Sequence, residues 1–373
     1  AGVDDDPRPL LANAGKSFIG SYVLGMGFTF DDSDKKGVAN PIALMHELIR
    51  KDPRNAERIF PYIGGEEVND SPTHAHHRYV INFAQMSEDE ARRWPDLLRI
   101  VEARVKPERQ LLGDNPDGRR RKAYWWQWGR YTPALFEAIR DLDRVLAVAQ
   151  ISQTFGFTFL QPSVYSHKLV LFPFRDDEAL ALMQSRVHES WARFYGSSFK
   201  DDLTYTPSEC FETFPFPDEW RSNQSLGDSG REYHAFRKEL MIRTNEGLTD
   251  TSNRFHDREF EHDPDIVKLR DLHAAMDRAV LDAYGWTDIQ PTCEFILDYE
   301  DDADDTDGQP SKKKKPWRYR WPDEIRDEVL GRLLELNAQR ARGEASAKAT
   351  EAGAAKVTKT KGARGASTPL LDP

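Results

Sequence analysis

A chain of 373 residues, 39% hydrophobic and 31% charged, is long enough for two domains and has the composition of an ordinary water-soluble protein. No apolar run nears the ~18 residues of a membrane helix, no secretory leader stands at the start, and Cys210 and Cys293 match no metal spacing, which predicts a reducing, cytoplasmic location without membrane contact. A net charge of −11 argues against a free-standing non-specific DNA binder, yet residues 101–200 carry 15 Lys/Arg against 11 Asp/Glu, a mildly basic middle compatible with one face docked on phosphate.

Residues 1–13 are polar and proline-bearing, with neither helix nor strand pattern, and read as a linker remnant. Residues 16–30 are strand-like, with glycines at 20, 25 and 27 that mark bulges or close backbone approach. Gly15-Lys16-Ser17 resembles the end of a phosphate-binding loop, but Leu10 stands where that motif needs glycine, and Gly25-Met26-Gly27 falls short of a dinucleotide fingerprint. Asn40-Pro41 opens a helix to about Lys51, and residues 61–67 are a turn-rich loop. His74, His76 and His77 precede the strand 78–83 with no Cys or carboxylate at a matching spacing, so they read as a loop facing solvent or phosphate. Ser87 and Glu90 form a capping box for a helix to about Val105, and residues 106–118 are breaker-rich.

Arg119-Arg120-Arg121-Lys122, followed by Tyr124, Trp125, Trp126 and Trp128, is an aromatic-basic cluster. Thr132 as N-cap and Pro133 at the first helical position start a short helix. Three runs rich in β-branched and aromatic residues, 145–152, 155–160 and 164–174, read as strands. On the first of them Gln150, Ser152 and Thr154 share one face by the period-two rule. A row of amide and hydroxyl groups beside a basic, tryptophan-rich segment suits either the reading of base edges or a half-solvated strand. A helix over about 178–195 follows, and the stretch closes at Pro217.

Beyond it the pattern changes. Residues 218–230 are polar and read as a boundary, followed by a helix over about 232–243. Asp263-Pro264 starts an amphipathic helix with Ile266, Leu269, His273, Met276 and Val280 at three-and-four spacing, where His273 reads as a packed core residue. Residues 298–307 form an acidic break and 312–315 a basic one, before a last helix over about 323–342. The Ala/Lys/Gly/Thr-rich tail from Gly343 has no hydrophobic periodicity and is expected to be disordered.

Ser17-Phe-Ile-Gly-Ser-Tyr-Val-Leu-Gly-Met-Gly-Phe28, Pro61-Tyr-Ile-Gly-Gly-Glu-Glu67, Arg78-Tyr-Val-Ile-Asn-Phe83, Arg186-Val-His-Glu-Ser-Trp191 and the run from Tyr205 to Pro217 together resemble the C-terminal part of MmeI-like (type IIL) restriction–modification enzymes of bacteria. The resemblance implies an α+β fold. A mixed, mainly antiparallel target-recognition domain would cover 14–217 and a small helical C-terminal domain 222–297, with the charged break and terminal helix at 298–342 and the disordered tail at 343–373. Such enzymes methylate adenine N6, binding S-adenosylmethionine through a glycine-bearing strand-turn and flipping the base against an Asn-Pro-Pro-Tyr/Phe loop. Here Asn40-Pro41 and Asn115-Pro116 are followed by Ile42 and Asp117. The resemblance therefore implies the sequence-reading part of an adenine-N6 DNA methyltransferase, with no catalytic, cofactor or metal residue in this chain and no activity on its own. S-adenosylmethionine is expected only in a missing methyltransferase domain or partner subunit, and the chain reads as a split subunit, truncated product or fragment.

Placed on the family pattern, Gln150, Ser152 and Thr154 fall where base-contacting side chains stand, with Tyr165, His167 and Lys168 on a neighbouring strand as further candidates. Gln bonds adenine through N6 and N7, while Ser and Thr are permissive readers. Arg119, Arg120, Arg121, Lys122, Arg130 and Lys200 would contact phosphates of double-stranded DNA, setting register without specifying sequence. Two alternatives stand beside this: a degenerate protein-interaction module without DNA binding, and a self-contained enzyme of unrecognised type using groups such as His74 with Glu66 and Glu67.

Overall fold

A computed structural model describes residues 6–199, 202–297 and 317–362. In chain order it begins with β1 (Phe18–Ile19), β2 (Thr29–Phe30), α1 (Ile42–Lys51), β3 (Ile59–Ile63), α2 (Gly65–Asn69) and β4 (Arg78–Ile81). Helices α3 (Glu88–Ala91), α4 (Pro95–Arg104), α5 (Lys106–Gln110), α6 (Pro116–Ala123) and α7 (Pro133–Ile139) follow. Next come β5 (Val145–Ala149), β6 (Ile151–Ser152), β7 (Thr158–Leu160), β8 (Val164–Tyr165) and β9 (Leu169–Phe172). The chain continues through α8 (Asp177–Gln184), α9 (Arg186–Tyr195), β10 (Ser197–Phe199) and β11 (Asp202–Thr204). It ends in α10 (Gln224–Thr244), α11 (Leu248–His256), α12 (Pro264–Ala283), β12 (Glu294–Leu297), β13 (Trp317–Arg320) and α13 (Asp323–Gly362).

The fold is α+β and its sheets are mainly antiparallel. Two four-stranded sheets, ordered β2-β4-β3-β8 and β1-β9-β5-β7, form the frame, and of the pairings between named strands only β3–β8 is parallel. The run Val145-Leu-Ala-Val-Ala149 makes a central strand because all five side chains are buried. Alternation sends Leu146 and Val148, with Val170 and Phe172 of β9, into one apolar cluster. Val145, Ala147 and Ala149, with Leu169 and Leu171, enter another on the opposite face. A third cluster, around Phe28, Val80, Leu97 and Trp128, fills the space beside the other large sheet.

The first of these clusters does not stop at Pro217. It runs from Leu146 through Phe216 and Leu226 to Ile266, Val280 and Leu333. The polar stretch read as a boundary instead contains the start of α10, capped by Asn223 Oδ1, which accepts from Leu226 N at 3.2 Å. Helix α10 lies against α8 where glycines leave room: a Cβ on Gly230 would stand 2.3 Å from the carbonyl oxygen of Asp177. A buried ion pair also crosses this junction, Arg186 Nη1 to Asp277 Oδ2 at 2.8 Å.

Local chemistry breaks several helices that periodicity alone reads as continuous. The Ser87–Glu90 capping box forms, Glu90 Oε2 accepting from Ser87 N at 2.8 Å, but the helix ends at Ala91 and restarts at Pro95. The helix expected over 178–195 is two, because Ser185 is extended and its Oγ accepts from His188 N to cap α9. In contrast α13 runs past the expected end at Arg342 to Gly362, through residues dominated by strong helix formers. Residues 8–13, read as a linker, are anchored: Leu10 N donates to Glu212 O at 2.8 Å and Asn13 Nδ2 to Phe214 O at 2.8 Å. Among the described residues no helix is long and apolar enough to cross a membrane. The acidic and basic breaks between 298 and 315 lie outside the described residues.

Candidate nucleic-acid interface

Several of the recognisable motif residues build the frame of this region. Glu67 is almost fully buried; its carboxylate accepts from Gly64 N at 2.8 Å and takes the Arg78 guanidinium through Nε at 2.7 Å and Nη2 at 2.9 Å. This fork ties the turn after β3 to the start of β4. A Cβ at Gly64 would stand 2.9 Å from Arg78 Nη2, so the glycine lets the clamp close. Of the three histidines, His77 lies 3.2 Å from Glu67 Oε1, His76 packs edge-on against Tyr79, and His74 Nδ1 lies 3.3 Å from Glu67 O. Burial pushes the His74 imidazole down to about 4.

The expected row of readers is divided. The run 145–152 breaks at Gln150: β5 belongs to the central sheet, whereas β6 pairs with β11 in a small separate sheet. The backbone turns there because Gln150 N donates to Lys168 O at 2.8 Å and Gln150 O accepts from Tyr205 N at 2.7 Å. The period-two face therefore does not extend from Gln150 to Thr154. Ser152 Oγ accepts from Thr154 N at 3.0 Å in a local turn, and Thr154 is buried beside Gln184 and Arg186. Tyr165, expected as a reader, is instead a core residue at 0% exposure, its hydroxyl donating to Gln161 O at 2.7 Å.

Gln150, His167 and Lys168 do come together, and they bring Tyr22 and Arg130 with them. His167 stacks on Tyr22 with ring centroids 4.5 Å apart and 16° between planes. Its Nδ1 is buried and has no partner among the described residues. Burial, with Lys168 next to it, lowers its pKa below that of a free imidazole. Tyr22 and Arg130 exchange both backbone hydrogen bonds, at 3.1 and 3.0 Å. Tyr22 was not singled out as a site residue in the sequence; its signals there are its place between glycines 20 and 25 and within the motif from Ser17 to Phe28.

The cationic groups fall into two sets. Arg119 pairs with Asp114 at 3.2 Å and Arg121 donates to Asp117 at 2.8 Å. Arg120 donates to Gly129 O at 2.7 Å, a neutral acceptor. Among the described residues no carboxylate lies within ion-pair distance of Arg120, Lys122, Arg130 or Lys168. Lys200 lies outside the described residues. The tryptophans beside this basic run are buried, Trp126 and Trp128 donating through their indole N–H to Met86 O at 2.8 Å and Ile81 O at 2.9 Å, so they are core rather than a stacking platform. Arg109, in the stretch read as breaker-rich, is 2% exposed and donates to the carbonyls of Val23, Leu24, Tyr124, Trp125 and Gln127. It staples the tryptophan segment to the Val23–Leu24 turn, and burial next to Arg121 and Arg120 drops its pKa to about 10.

Comparison with known proteins places this region. Residues 41–218 match the family model described as MmeI, target recognition domain. Among solved structures, the chain is similar to that of the type IIL restriction–modification enzyme MmeI in complex with DNA, at a TM-score of 0.57 and 16% identity. The match covers 91% of this chain and 38% of that one. At this identity the likeness shows a shared fold. No curated protein matches.

Proposed function

We propose that this chain, which carries an MmeI-type target recognition domain over residues 41–218, is the sequence-reading part of an adenine-N6 DNA methyltransferase in a restriction–modification system. The family match over those residues is the observation that carries the reading. The cluster of Gln150, His167 and Lys168 supports it chemically. A glutamine amide suits adenine N6 and N7, and a lysine ammonium suits guanine O6 and N7. Arg120, Lys122 and Arg130, free of carboxylates among the described residues, are the phosphate contacts in this reading; Arg119 and Arg121 are already engaged by Asp114 and Asp117.

The two Asn-Pro pairs serve the fold. Asn115 Oδ1 caps α6 by accepting from Gly118 N at 2.7 Å, and Asn40 Nδ2 donates to Gly27 O and Thr29 O at 2.8 and 2.9 Å. In this reading the S-adenosylmethionine site and the base-flipping loop belong to a methyltransferase domain or subunit outside these 373 residues. Selection from a randomised duplex library tests the DNA-reading role. The full chain should enrich a single motif at low salt. Retention of no duplex, or of all duplexes equally, overturns the reading.

A further inference from the structure

We propose that the Leu24–Met26 turn is an apolar wedge that enters a base step of bound duplex DNA; this rests on the DNA-reading role above. Leu24 has φ +49 and remains 40% exposed, and Met26, two residues on, is 42% exposed. A leucine in the left-handed region costs roughly 1–2 kcal/mol, which glycine or asparagine would not incur. The core gains little from the exposed part of its side chain, so the strain points to a use outside the fold.

The turn is held rigidly from below. Val23 and Phe28 on either side are buried, Val23 O and Leu24 O accept from Arg109 Nη2 at 3.4 and 3.3 Å, and a Cβ on Gly25 would sit 3.3 Å from Val105. Cationic residues frame the tip. Leu24 lies over Gly129, where a Cβ would come within 2.5 Å of Leu24 Cδ1. The Gly129 carbonyl holds Arg120, and Arg130 is the next residue. On the other side Gly27 packs against Arg104, whose guanidinium donates to the carbonyls of Gly37 and Val38. Two apolar side chains on a stiff, strained turn beside Arg130 match the design of architectural DNA binders, where arginines grip phosphates and an aliphatic side chain unstacks a base step. Tyr22, stacked on His167, lies two residues away, which places the wedge beside the candidate readers.

The test uses the full chain and the duplex it enriches from a randomised library, carrying 2-aminopurine at successive positions. Binding should raise fluorescence about threefold at one step. Leu24→Gly and Met26→Ser should each abolish most of that rise and weaken binding about tenfold. Leu24→Gly should keep or raise the thermal midpoint, because glycine fits φ +49 without strain; a residue serving only as packing would lower it. Arg130→Ala should weaken binding but leave the rise intact at saturation. If the wild-type chain binds with no fluorescence change at any position, or Leu24→Gly keeps both rise and affinity, the wedge is wrong while the DNA-reading role stands. That result would leave the tip as a surface for another protein chain. Retention of no duplex at all overturns both.

Discussion

At Gln150 the backbone and the side chain have separate tasks. Its N–H and C=O are committed to Lys168 O and Tyr205 N, while its side-chain amide has no hydrogen-bond partner among the described residues. Gln150→Ala in an enzyme reconstituted with a catalytic partner should therefore leave stability unchanged. It should relax one recognised base pair by roughly 1–3 kcal/mol of discrimination. Methylation-site sequencing reads this directly, and an unchanged motif at normal activity would make Gln150 a structural residue. The arginines give a contrast of another kind. Arg120→Ala should weaken all sequences alike and lower the salt slope by about one phosphate's worth. Arg121→Ala should do much less, because Asp117 already holds that guanidinium. The run of four basic residues makes these neighbours look alike, yet the spacing separates them: Arg121 stands four residues after Asp117, one helical turn on, and pairs with it.

Individual elements show where sequence patterns suffice. The five-residue apolar run of β5 and the capping box of α3 are both local, and both form as expected. Positions set by distant partners are not legible in this way. The split of Gln150 from Ser152 depends on β6 leaving the central sheet to pair with β11, some fifty residues later, and Tyr165 is buried because β8 pairs with β3. The early start of α10 has the same cause: glycines at 227 and 230 look like breakers in sequence, yet they let the helix approach α8. This sets a sign that propensity alone gets wrong. Gly→Ala inside a helix normally stabilises by about 1 kcal/mol. At Gly230 the new Cβ would meet the Asp177 carbonyl at 2.3 Å, so Gly230→Ala should destabilise by about 1–3 kcal/mol. Gly331, in α13 with nothing within 4 Å, is the control and should gain stability as Ala. Urea midpoints of the two variants decide the matter, and a stabilised Gly230→Ala would mean that α8 and α10 are not packed this closely.

For the whole molecule, one continuous core joins the central sheet to the C-terminal helices. One apolar cluster joins the strands carrying Val148 and Val170 to the helices carrying Leu240, Met276 and Leu333, and the buried Arg186–Asp277 pair fastens the same junction. Replacing one member of such a pair should cost about 3–5 kcal/mol, because the other charge would be left buried and unpaired. The C-terminal helices are thereby packed on the same core as the strands that lead to Gln150 and Lys168. Methyl transfer requires two things that the cluster of Gln150, His167 and Lys168 does not supply: a pocket for the cofactor and a loop that stacks on an extruded adenine. Both Asn-Pro pairs in the chain are committed to capping or to buried backbone bonds. The purified chain, incubated with S-adenosylmethionine carrying a labelled methyl group and the duplex it enriches, should incorporate no label. A catalytic domain or subunit bearing the Asn-Pro-Pro-Tyr/Phe loop should restore incorporation at adenine within the enriched motif. Label transferred by the chain alone would show that a catalytic site is present here after all, and restored methylation at unrelated sequences would show that the reading cluster does not direct it.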